Sequence, residues 1–502
     1  MSDPDIFDLI VVGGGVNGVG IARDAVGRGL SVLLVEKDDI AQGASSRSGK
    51  LVHGGLRYLE YYEFRLVREA LIEREVLLKA APHIIRPMRF VLPHSADQRP
   101  AWLIRMGLFL YDHLGGRKLL RSTRTLDLTS APEGAPLKKD FARAFEYSDC
   151  WVDDARLVVL NALDASRRGA SVRTRTALAG AQRTADRWQV TLRDADGKES
   201  NAKGRALVNA AGPWVGDVLR AAGANSSNRV RLVKGSHIIT RKFWDGEQAY
   251  LLQNTDKRVV FVNPYENDLA LIGTTDIPFS GRPEDVAIDG DETDYLLTVL
   301  NRYFVEGQTR ADVISAFSGV RPLFDDETDK ASAVTRDYVL DLDAPAGVAP
   351  LLSIFGGKIT TYRRLAERAL KRLAPFFPAM KPAWTERVPL PGGDFGSPDF
   401  AAFLGNARRR YPWLPEEVAT AYARRYGTRM HELLGGAISL QDLGERFGGG
   451  LFEREARFLV AEEWAKTAED ILERRTKHYL HMSADERSKF EAWFAAKKGG
   501  RQ

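Results

Sequence analysis

Hydrophobic and polar positions form separate blocks along this chain of 502 residues. Residues 7–12 (FDLIVV) are mostly apolar and predict a buried strand, and residues 31–35 (SVLLV) predict a second one. Between them, residues 19–28 form an alanine-rich helical stretch that ends before Gly29, a typical C-terminal cap. A strand, a helix and a strand in this order predict a βαβ unit with a parallel sheet.

The rest of the chain changes its pattern several times. Residues 62–80 have the charged amphipathic pattern of a helix, and residues 155–168 predict another helix. Residues from about 230 to 340 are rich in strand-forming runs. Prolines and glycines at 389–398 form a linker, and the helical pattern from about 400 to 502 predicts a separate domain. The chain is therefore an α/β protein of two or three domains.

Composition and charge narrow the classes of function. Hydrophobic residues make up 44% and charged residues 28%, as in soluble globular proteins. A net charge of +5 suits anionic ligands or a membrane surface and is too weak to indicate nucleic-acid binding. No apolar run approaches the roughly 18–20 residues that span a bilayer, and the N-terminus (MSDPDIFDLIVV) is unlike a signal peptide. We expect a cytoplasmic chain that is able to lie on a membrane.

A glycine motif joins the first strand to the first helix. Gly13-x-Gly15-x-x-Gly18 permits a tight turn and lets the backbone approach a pyrophosphate at the helix N-terminus. Glu36 ends the second strand, eighteen residues beyond the last glycine, and would accept hydrogen bonds from ribose hydroxyls. This context predicts dinucleotide binding.

A second glycine-rich turn distinguishes FAD from NAD. Gly356-Gly357-Lys358 follows a predicted strand and precedes a predicted helix from about Thr360 to Leu373, with no acid at the ribose-binding distance. A helix N-terminus and Lys358 at the flavin would stabilise negative charge on the reduced ring. One N-terminal fingerprint with one late Gly-Gly-Lys turn favours FAD.

The segment at 45–59 (SSRSGKLVHGGLRYL) is unusual for a loop. Ser45-Ser46 can bond phosphate oxygens, and Gly54-Gly55 would let the backbone lie against the flavin ring system. Arg57 and Tyr58 would then project beyond the ring toward the substrate. The alternative is a solvated basic loop, although such loops seldom carry His-Gly-Gly followed by Leu-Arg-Tyr-Leu.

Several cationic residues and two histidines suggest the charge of the substrate and the group that accepts its proton. Arg321, Arg336 and Lys358 taken singly fit surface ion pairs, but as a converging set they suggest a dianionic phosphate ester. His237 fits either a core histidine or the base that removes a hydroxyl proton, and His53 competes for that role.

Other candidate groups have simpler explanations. Asp153-Asp154 resembles a catalytic carboxylate pair, yet an N-cap with favourable helix-dipole charge accounts for it. Cys150 is the only cysteine, so no intrachain disulfide forms, and without a nearby histidine we expect a buried, inert thiol. No Cys/His cluster has metal-ligand spacing, and no metal is predicted.

Ten segments, in order and spacing, resemble the FAD-dependent glycerol-3-phosphate dehydrogenases, most closely the bacterial aerobic, respiratory type. The longer segments are GGGVNGVGIARDA, SSRSGKLVHGGLRYLEYYEFRLVREALIERE, PMRFVLPH, EYSDCWVDDARL, VNAAGPWV and FGGKITTYRRLAE. The shorter ones are KGSHII, GTTD, SGVRPL and TRDY. The resemblance covers nearly the whole chain and is less distinctive over the last hundred residues.

The resemblance implies a fold in three parts. These are a glutathione-reductase-like FAD-binding Rossmann domain, a β-rich substrate domain as in D-amino-acid oxidase, and an α-helical C-terminal domain. The expected ranges are 1–80, 150–230 and 350–385 for the FAD domain, 81–149 and 231–349 for the substrate domain, and 395–502 for the C-terminal domain.

The implied activity is oxidation of sn-glycerol 3-phosphate to dihydroxyacetone phosphate, with electrons passing from noncovalent FAD to ubiquinone at the cytoplasmic face of the inner membrane. The implied cofactor residues are Gly13, Gly14, Gly15, Asn17, Gly18, Glu36, Ser45, Ser46, His53, Gly54, Gly55, Gly212, Gly356, Gly357 and Lys358. The implied substrate residues are Arg57, Tyr58, Thr274, Arg321, Arg336 and Lys358. The implied catalytic residues are His237 beside the flavin, Arg321 and Lys358.

The sequence also allows contact with a membrane, and it leaves other functions open. Residues 361–373 (TYRRLAERALKRL) have the pattern of a basic amphipathic helix that would lie on an anionic membrane. A solvated helix of a globular domain fits this pattern equally well. Residues 102–111 would add apolar contact with the membrane. A homodimer is left open. The competing hypotheses are an amine, amino-acid or glycerol-phosphate oxidase that uses oxygen, and a non-catalytic flavin-dependent interaction protein.

Overall fold

The computed structural model describes residues 6–96, 98–256, 258–325, 337–396 and 399–499. The strands are β1 Ile6–Val12, β2 Val32–Val35, β3 Leu51–Val52, β4 Ile85–His94, β5 Arg124–Asp127, β6 Arg143–Val152, β7 Ser171–Arg173, β8 Thr176–Arg183, β9 Trp188–Asp194, β10 Glu199–Asn209, β11 Val230–Arg241, β12 Ala249–Gln253, β13 Val259–Tyr265, β14 Leu269–Gly273, β15 Ile277–Pro278, β16 Ser315–Phe324, β17 Tyr338–Asp343, β18 Leu351–Gly356, β19 Arg446–Gly448 and β20 Leu451–Phe452. The helices are α1 Val16–Gly27, α2 Phe64–Ala80, α3 Ala101–Leu114, α4 Asp154–Arg167, α5 Val215–Ala221, α6 Gly290–Tyr303, α7 Tyr362–Leu373, α8 Phe400–Arg410, α9 Glu416–Tyr426, α10 Met430–Leu434, α11 Glu453–Glu462 and α12 Ala484–Gly499.

The first sheet contains the predicted βαβ unit. Its strand order is β17-β18-β10-β1-β2-β7, with β9 and β8 added beside β10. The central strands are parallel, and the apolar run of β1 is buried, as expected where helices cover both faces. Helices α1, α4 and α7 pack together on one face. Because the strands are parallel, the carboxyl ends of β1, β2 and β10 meet at one edge, where the glycine motif lies.

The second sheet has the order β15-β11-β14-β13-β12-β4-β6-β3, with β16 paired to β11 and β5 to β6. One face packs against α6, and the other packs against α2 and α3. Strand β17 lies within the range expected for the substrate domain, yet it pairs antiparallel with β18 in the first sheet. The chain thus re-enters the first sheet before residue 349.

The C-terminal helices form their own core and are joined to the first sheet by buried ion pairs. Glu463 binds the guanidinium groups of both Arg156 on α4 and Arg429, and none of these side chains is more than 1% exposed. Lys477 pairs with Asp153 at the start of α4. The helical C-terminal domain that was predicted is confirmed, and a short β19-β20 hairpin is added to it.

The basic helix expected on a membrane is α7, and its apolar side faces the protein core instead. Three of its apolar side chains are completely buried: Leu365, Ala369 and Leu373. Arg363 binds Glu73 on α2 and Glu367 on its own helix. Of the two alternatives, the burial favours a helix of a globular domain, because an amphipathic pattern records one apolar face and does not tell whether protein or lipid covers it.

Candidate active site

A large cavity of about 1220 Å³ lies between the two sheets. It exceeds the roughly 300–1,000 Å³ of an ordinary ligand pocket, so it has room for a dinucleotide and a small substrate together. Of the residues predicted for the site, the wall contains Gly13, Gly15, Asn17, Glu36, Ser45, His53, Gly55, Arg57, Tyr58, Gly212, His237, Thr274, Arg321, Gly356, Gly357 and Lys358. Arg336 lies outside the described residues.

At the first glycine motif the backbone itself forms part of the cavity wall, because the glycines have no side chains. Gly13 has φ +113°, and a Cβ atom at this position would lie 2.5 Å from the Ala210 carbonyl oxygen. A Cβ atom at Gly18 would lie 1.9 Å from the Gly13 carbonyl oxygen. Gly15 is the N-cap residue of α1 and supplies no side-chain cap, so the first backbone N–H groups of this helix, other than that of Val16, are available to an anion. Only glycine permits this close turn.

Glu36 is fixed at the end of β2 by backbone donors. The Gly14 N–H donates to Glu36 Oε2 at 2.6 Å, and the Asp38 N–H donates to Glu36 Oε1 at 2.8 Å. Burial raises the pKa of Glu36, and these two donors act against that rise. Ser45 reinforces the same corner, since its Oγ accepts from the Val16 N–H at 3.0 Å. Bare backbone, an open helix start and an oriented carboxylate fit the pyrophosphate and ribose of FAD.

The late Gly-Gly-Lys turn meets the first glycine motif in space. Gly356 and Gly357 have φ of +79° and +107°, and Asn17 donates from Nδ2 to the Gly356 carbonyl oxygen at 3.2 Å. The Lys358 ammonium lies 3.6 Å from the centre of the Tyr58 ring. Two motifs separated by more than 300 residues therefore line one cavity, as the FAD hypothesis requires.

Three predicted cofactor glycines and one serine lie behind the cavity wall. Gly14 and Gly18 shape the turn from behind, and the Ser46 carbonyl oxygen accepts from Lys50 Nζ at 3.1 Å. Gly54 donates its N–H to the Tyr111 hydroxyl, and a Cβ atom there would lie 2.4 Å from Leu71. Gly54 thus has no room for a side chain, because α2 and α3 pack against it, and its place against the flavin ring stays a prediction.

His237 has a buried ring at the cavity wall. It is 4% exposed and stacks on Phe317, with 4.9 Å between ring centres. Burial, followed by the positive charges of Arg321 and Lys50, lowers its pKa to about 3. The imidazole is therefore neutral and able to accept a proton. Burial also lowers the pKa of His53, whose ring lies 6.3 Å from that of Phe261.

Arg321 is held in place by three partners, of which the sequence reasoning had singled out only Thr274. Its Nη1 donates to Asp276 Oδ1 at 2.6 Å, and its Nη2 donates to the Thr275 carbonyl oxygen at 2.7 Å. The Thr274 hydroxyl accepts from the same nitrogen at 3.2 Å. Asp276 lies on the cavity wall, and its only sequence signal was its place in the GTTD segment after β14.

Sequence profiles match both parts of the chain. The profile of the FAD dependent oxidoreductases covers residues 8–363, and that of the C-terminal domain of alpha-glycerophosphate oxidase covers residues 383–489. The aerobic glycerol-3-phosphate dehydrogenase of Escherichia coli is 51% identical over 97% of each chain. The chain belongs to the FAD-dependent glycerol-3-phosphate dehydrogenase family.

Further members of the family and a solved structure agree with this assignment. The D-erythritol 1-phosphate dehydrogenase of Brucella abortus is 62% identical over 98% of this chain and 99% of that protein. The glycerol-3-phosphate dehydrogenase structure from Bacillus halodurans, complexed with FAD, has a TM-score of 0.79 at 25% identity and covers 99% of this chain and 91% of that one. FAD as cofactor and the three-part fold are thus confirmed.

The candidates with simpler explanations behave as predicted. Asp153 is the N-cap of α4 and accepts from the Arg156 N–H at 3.1 Å, and Asp154 is buried against Lys50 and Ser48. Cys150 is buried, and burial raises the pKa of its thiol. In this member of the glycerol-3-phosphate dehydrogenase family, these residues support the structure beneath the cavity.

Proposed function

We propose that this protein oxidises sn-glycerol 3-phosphate to dihydroxyacetone phosphate and passes the electrons to a membrane quinone. The observation that carries the proposal is that Arg57, Arg321 and Lys358 line the same cavity as the FAD-binding turns. A cationic wall beside the flavin end of the cofactor site suits a dianionic phosphate ester. Within the described residues, no hydrogen bond or ion pair engages the Arg57 side chain, which leaves its guanidinium available for the phosphate.

The side chains have separate tasks in this proposal. Arg57 binds the phosphate, while Arg321 and Lys358 offset the negative charge that develops on the substrate oxygen. Bound FAD supplies the hydride acceptor. His237 accepts the hydroxyl proton; its low pKa makes it a weak base until a dianionic ester offsets the nearby cations and raises that pKa. Proton acceptance is thereby linked to substrate binding.

We expect His237→Ala to lower kcat more than His53→Ala. The reason is that His237 is the proton acceptor, whereas the His53 backbone N–H bonds Thr360 and its ring packs near Phe261. Loss of a general base costs about 10²- to 10⁴-fold. Steady-state kinetics with matched FAD content in both variants measures the difference. The opposite ranking would assign the proton to His53.

D-erythritol 1-phosphate is a second candidate substrate. The 62% identity to the Brucella abortus enzyme, over nearly the full length of both chains, favours it. The two compounds share a secondary alcohol next to the CH2 group that carries the phosphate ester, and they differ by one CHOH unit. The same cations and the same proton acceptor therefore serve both substrates, and the choice depends on the space at the end of the substrate remote from the phosphate and Arg57.

A comparison of kcat/KM for the two esters tests the substrate. The assay uses the FAD-loaded enzyme with a short-chain ubiquinone as acceptor and with oxygen as the alternative. Faster turnover of sn-glycerol 3-phosphate with the quinone supports the proposal. A preference for D-erythritol 1-phosphate would reassign the substrate, and turnover that needs oxygen would identify an oxidase.

An apolar surface beside the cavity supports a membrane-dissolved acceptor. The α3 patch consists of exposed side chains from α3, from the turn before α2 and from the first residue of α2: Trp102, Met106, Phe109, Tyr62 and Phe64. Trp102 is 68% exposed and Phe109 is 58% exposed. Leu103, Ile104 and Leu110 of the same helix line the cavity, so α3 borders both the site and the outside. Among the described helices, none is long and apolar enough to cross a bilayer.

We expect the α3 patch to bind anionic vesicles. In a sedimentation assay at low salt, the wild-type protein should pellet with the vesicles and the Trp102→Glu/Phe109→Glu variant should stay in the supernatant. Arg364→Glu on the exposed side of α7 is the control and should still pellet, because α7 is packed on the protein core. Release of the α7 variant with retention of the α3 variant would reverse this assignment.

A further inference from the structure

The loop that follows Glu36 is held from outside by the C-terminal domain. Asp39 lies three residues beyond Glu36 and is completely buried. Its Oδ2 accepts from Arg474 Nε at 2.7 Å and from Arg475 Nη1 at 2.6 Å, and its Oδ1 accepts from Arg475 Nη2 at 2.8 Å. Both arginines come from a part of the chain more than 430 residues away.

Arg474 and Arg475 lie in a π-helical turn, Asp470–Arg475. Although the two residues are consecutive in the chain, both side chains reach the same carboxylate. Turns of this kind are frequent at functional sites. Burial alone would raise the pKa of Asp39, but Arg475 and Arg474 lower it, so the carboxylate stays ionised.

A second contact fixes the junction between β7 and β8, which lies beside Glu36. Arg474 Nη2 donates to Asp470 Oδ1 at 2.6 Å, and Asp470 also accepts from Arg175 Nη2 at 2.8 Å. The Arg175 N–H donates to the Asp38 carbonyl oxygen at 2.8 Å, and the Thr176 N–H donates to that of Glu36 at 2.7 Å. The C-terminal domain thus holds both segments that flank Glu36.

The loop between Glu36 and Ser45 transmits this hold to the cofactor site. The Ala41 N–H donates to the Gly14 carbonyl oxygen at 3.1 Å, and the Asp39 N–H donates to Gln42 Oε1 at 3.1 Å. Gln42, Gly43 and Ala44 line the cavity next to the first glycine motif. A displacement of Asp39 would therefore move the Glu36 carboxylate and the phosphate-binding turn together.

We propose that the C-terminal domain is a cofactor-retention clamp, in which Arg474 and Arg475 act through Asp39 as positioning residues for the FAD-binding loop. FAD binding and docking of the C-terminal domain then stabilise each other, as linkage requires of two coupled equilibria. The inference goes beyond the proposed reaction and holds whichever polyol phosphate is the substrate.

The test measures FAD affinity by titrating apoprotein with FAD and following quenching of flavin fluorescence. Asp39→Asn should raise the Kd for FAD about tenfold or more, within the usual range of coupling between sites, and leave the substrate KM unchanged at saturating FAD. Lys477→Met is the matched control. It removes another buried ion pair across the same domain junction, Lys477 with Asp153, and among the described residues neither of these side chains bonds the loop, Arg474 or Arg475.

The control should lower the thermal unfolding midpoint as much as Asp39→Asn while leaving the Kd for FAD unchanged. Equal increases of the Kd in both variants, or none in Asp39→Asn, would overturn the proposal. Hydrogen exchange of the wild-type protein provides a measurement that no folding defect can obscure. FAD should slow exchange of the amides at 470–475, and exchange slowed only at the glycine motif would also overturn the proposal.

Discussion

Arg321→Ala should lose most of its turnover while the protein still binds FAD. The Arg321 guanidinium lies at the cavity wall, bonded to Asp276, Thr275 and Thr274. Its removal deletes a cation where negative charge develops and takes a positive partner away from Asp276. Removal of one such preorganised group costs about 10²- to 10³-fold in kcat. Steady-state kinetics and the flavin absorbance of the purified variant measure the two effects.

Asp276→Asn in the Arg321→Ala background is the control for this prediction. The amide removes the negative charge that would repel a dianionic ester, so the double variant should recover part of the lost kcat/KM. Near-normal activity of Arg321→Ala would refute the role given to Arg321. A protein that lost its yellow colour would assign Arg321 to the cofactor instead.

The second large effect is expected from Gly13→Ala, which should weaken FAD binding. Its φ of +113° is strained for alanine, and the added Cβ atom would lie 2.5 Å from the Ala210 carbonyl oxygen. The backbone has to shift to relieve this contact, and that moves the turn on which the pyrophosphate rests. Backbone strain of about 1–3 kcal/mol corresponds to about a 5- to 150-fold weaker Kd. Fluorescence titration with FAD measures it.

Gly169→Ala is a matched control for the backbone strain. Gly169 has φ +104°, but among the described residues no atom lies within 4 Å of the position that its Cβ atom would take, and the residue is exposed beyond α4. This variant should lose some stability and bind FAD as tightly as the wild type. A similar loss of FAD affinity in both variants would show that strain, and not the contact with Ala210, controls binding.

Local patterns with fixed spacing carried the correct predictions. The βαβ unit follows from two apolar runs around a helix, and the cofactor turn follows from glycines whose positive φ or close contacts exclude other residues. The late Gly-Gly-Lys turn was predicted to reach the same cofactor, and the hydrogen bond from Asn17 to Gly356 places the two motifs together. The family resemblance added the expected substrate, which the spacing of hydrophobic and polar residues does not indicate.

Contacts between distant parts of the chain were not predictable from one sequence. Nothing local indicates that Arg474 and Arg475 reach Asp39, or that Asp276 holds Arg321. The sequence left the environment of α7 undecided for the same reason, since its pattern is satisfied by a membrane or by the protein core. The packing of Gly54 against Leu71 has no sequence signal either.

Anaerobic reduction of the bound flavin tests the central claim most directly. The purified yellow protein is mixed without oxygen with sn-glycerol 3-phosphate, and glycerol, glycine and NADH serve as controls. Bleaching of the flavin absorbance by the phosphate ester alone is the predicted result. Bleaching by glycine in its place, or a yellow protein that the phosphate ester does not bleach, would contradict the proposed function.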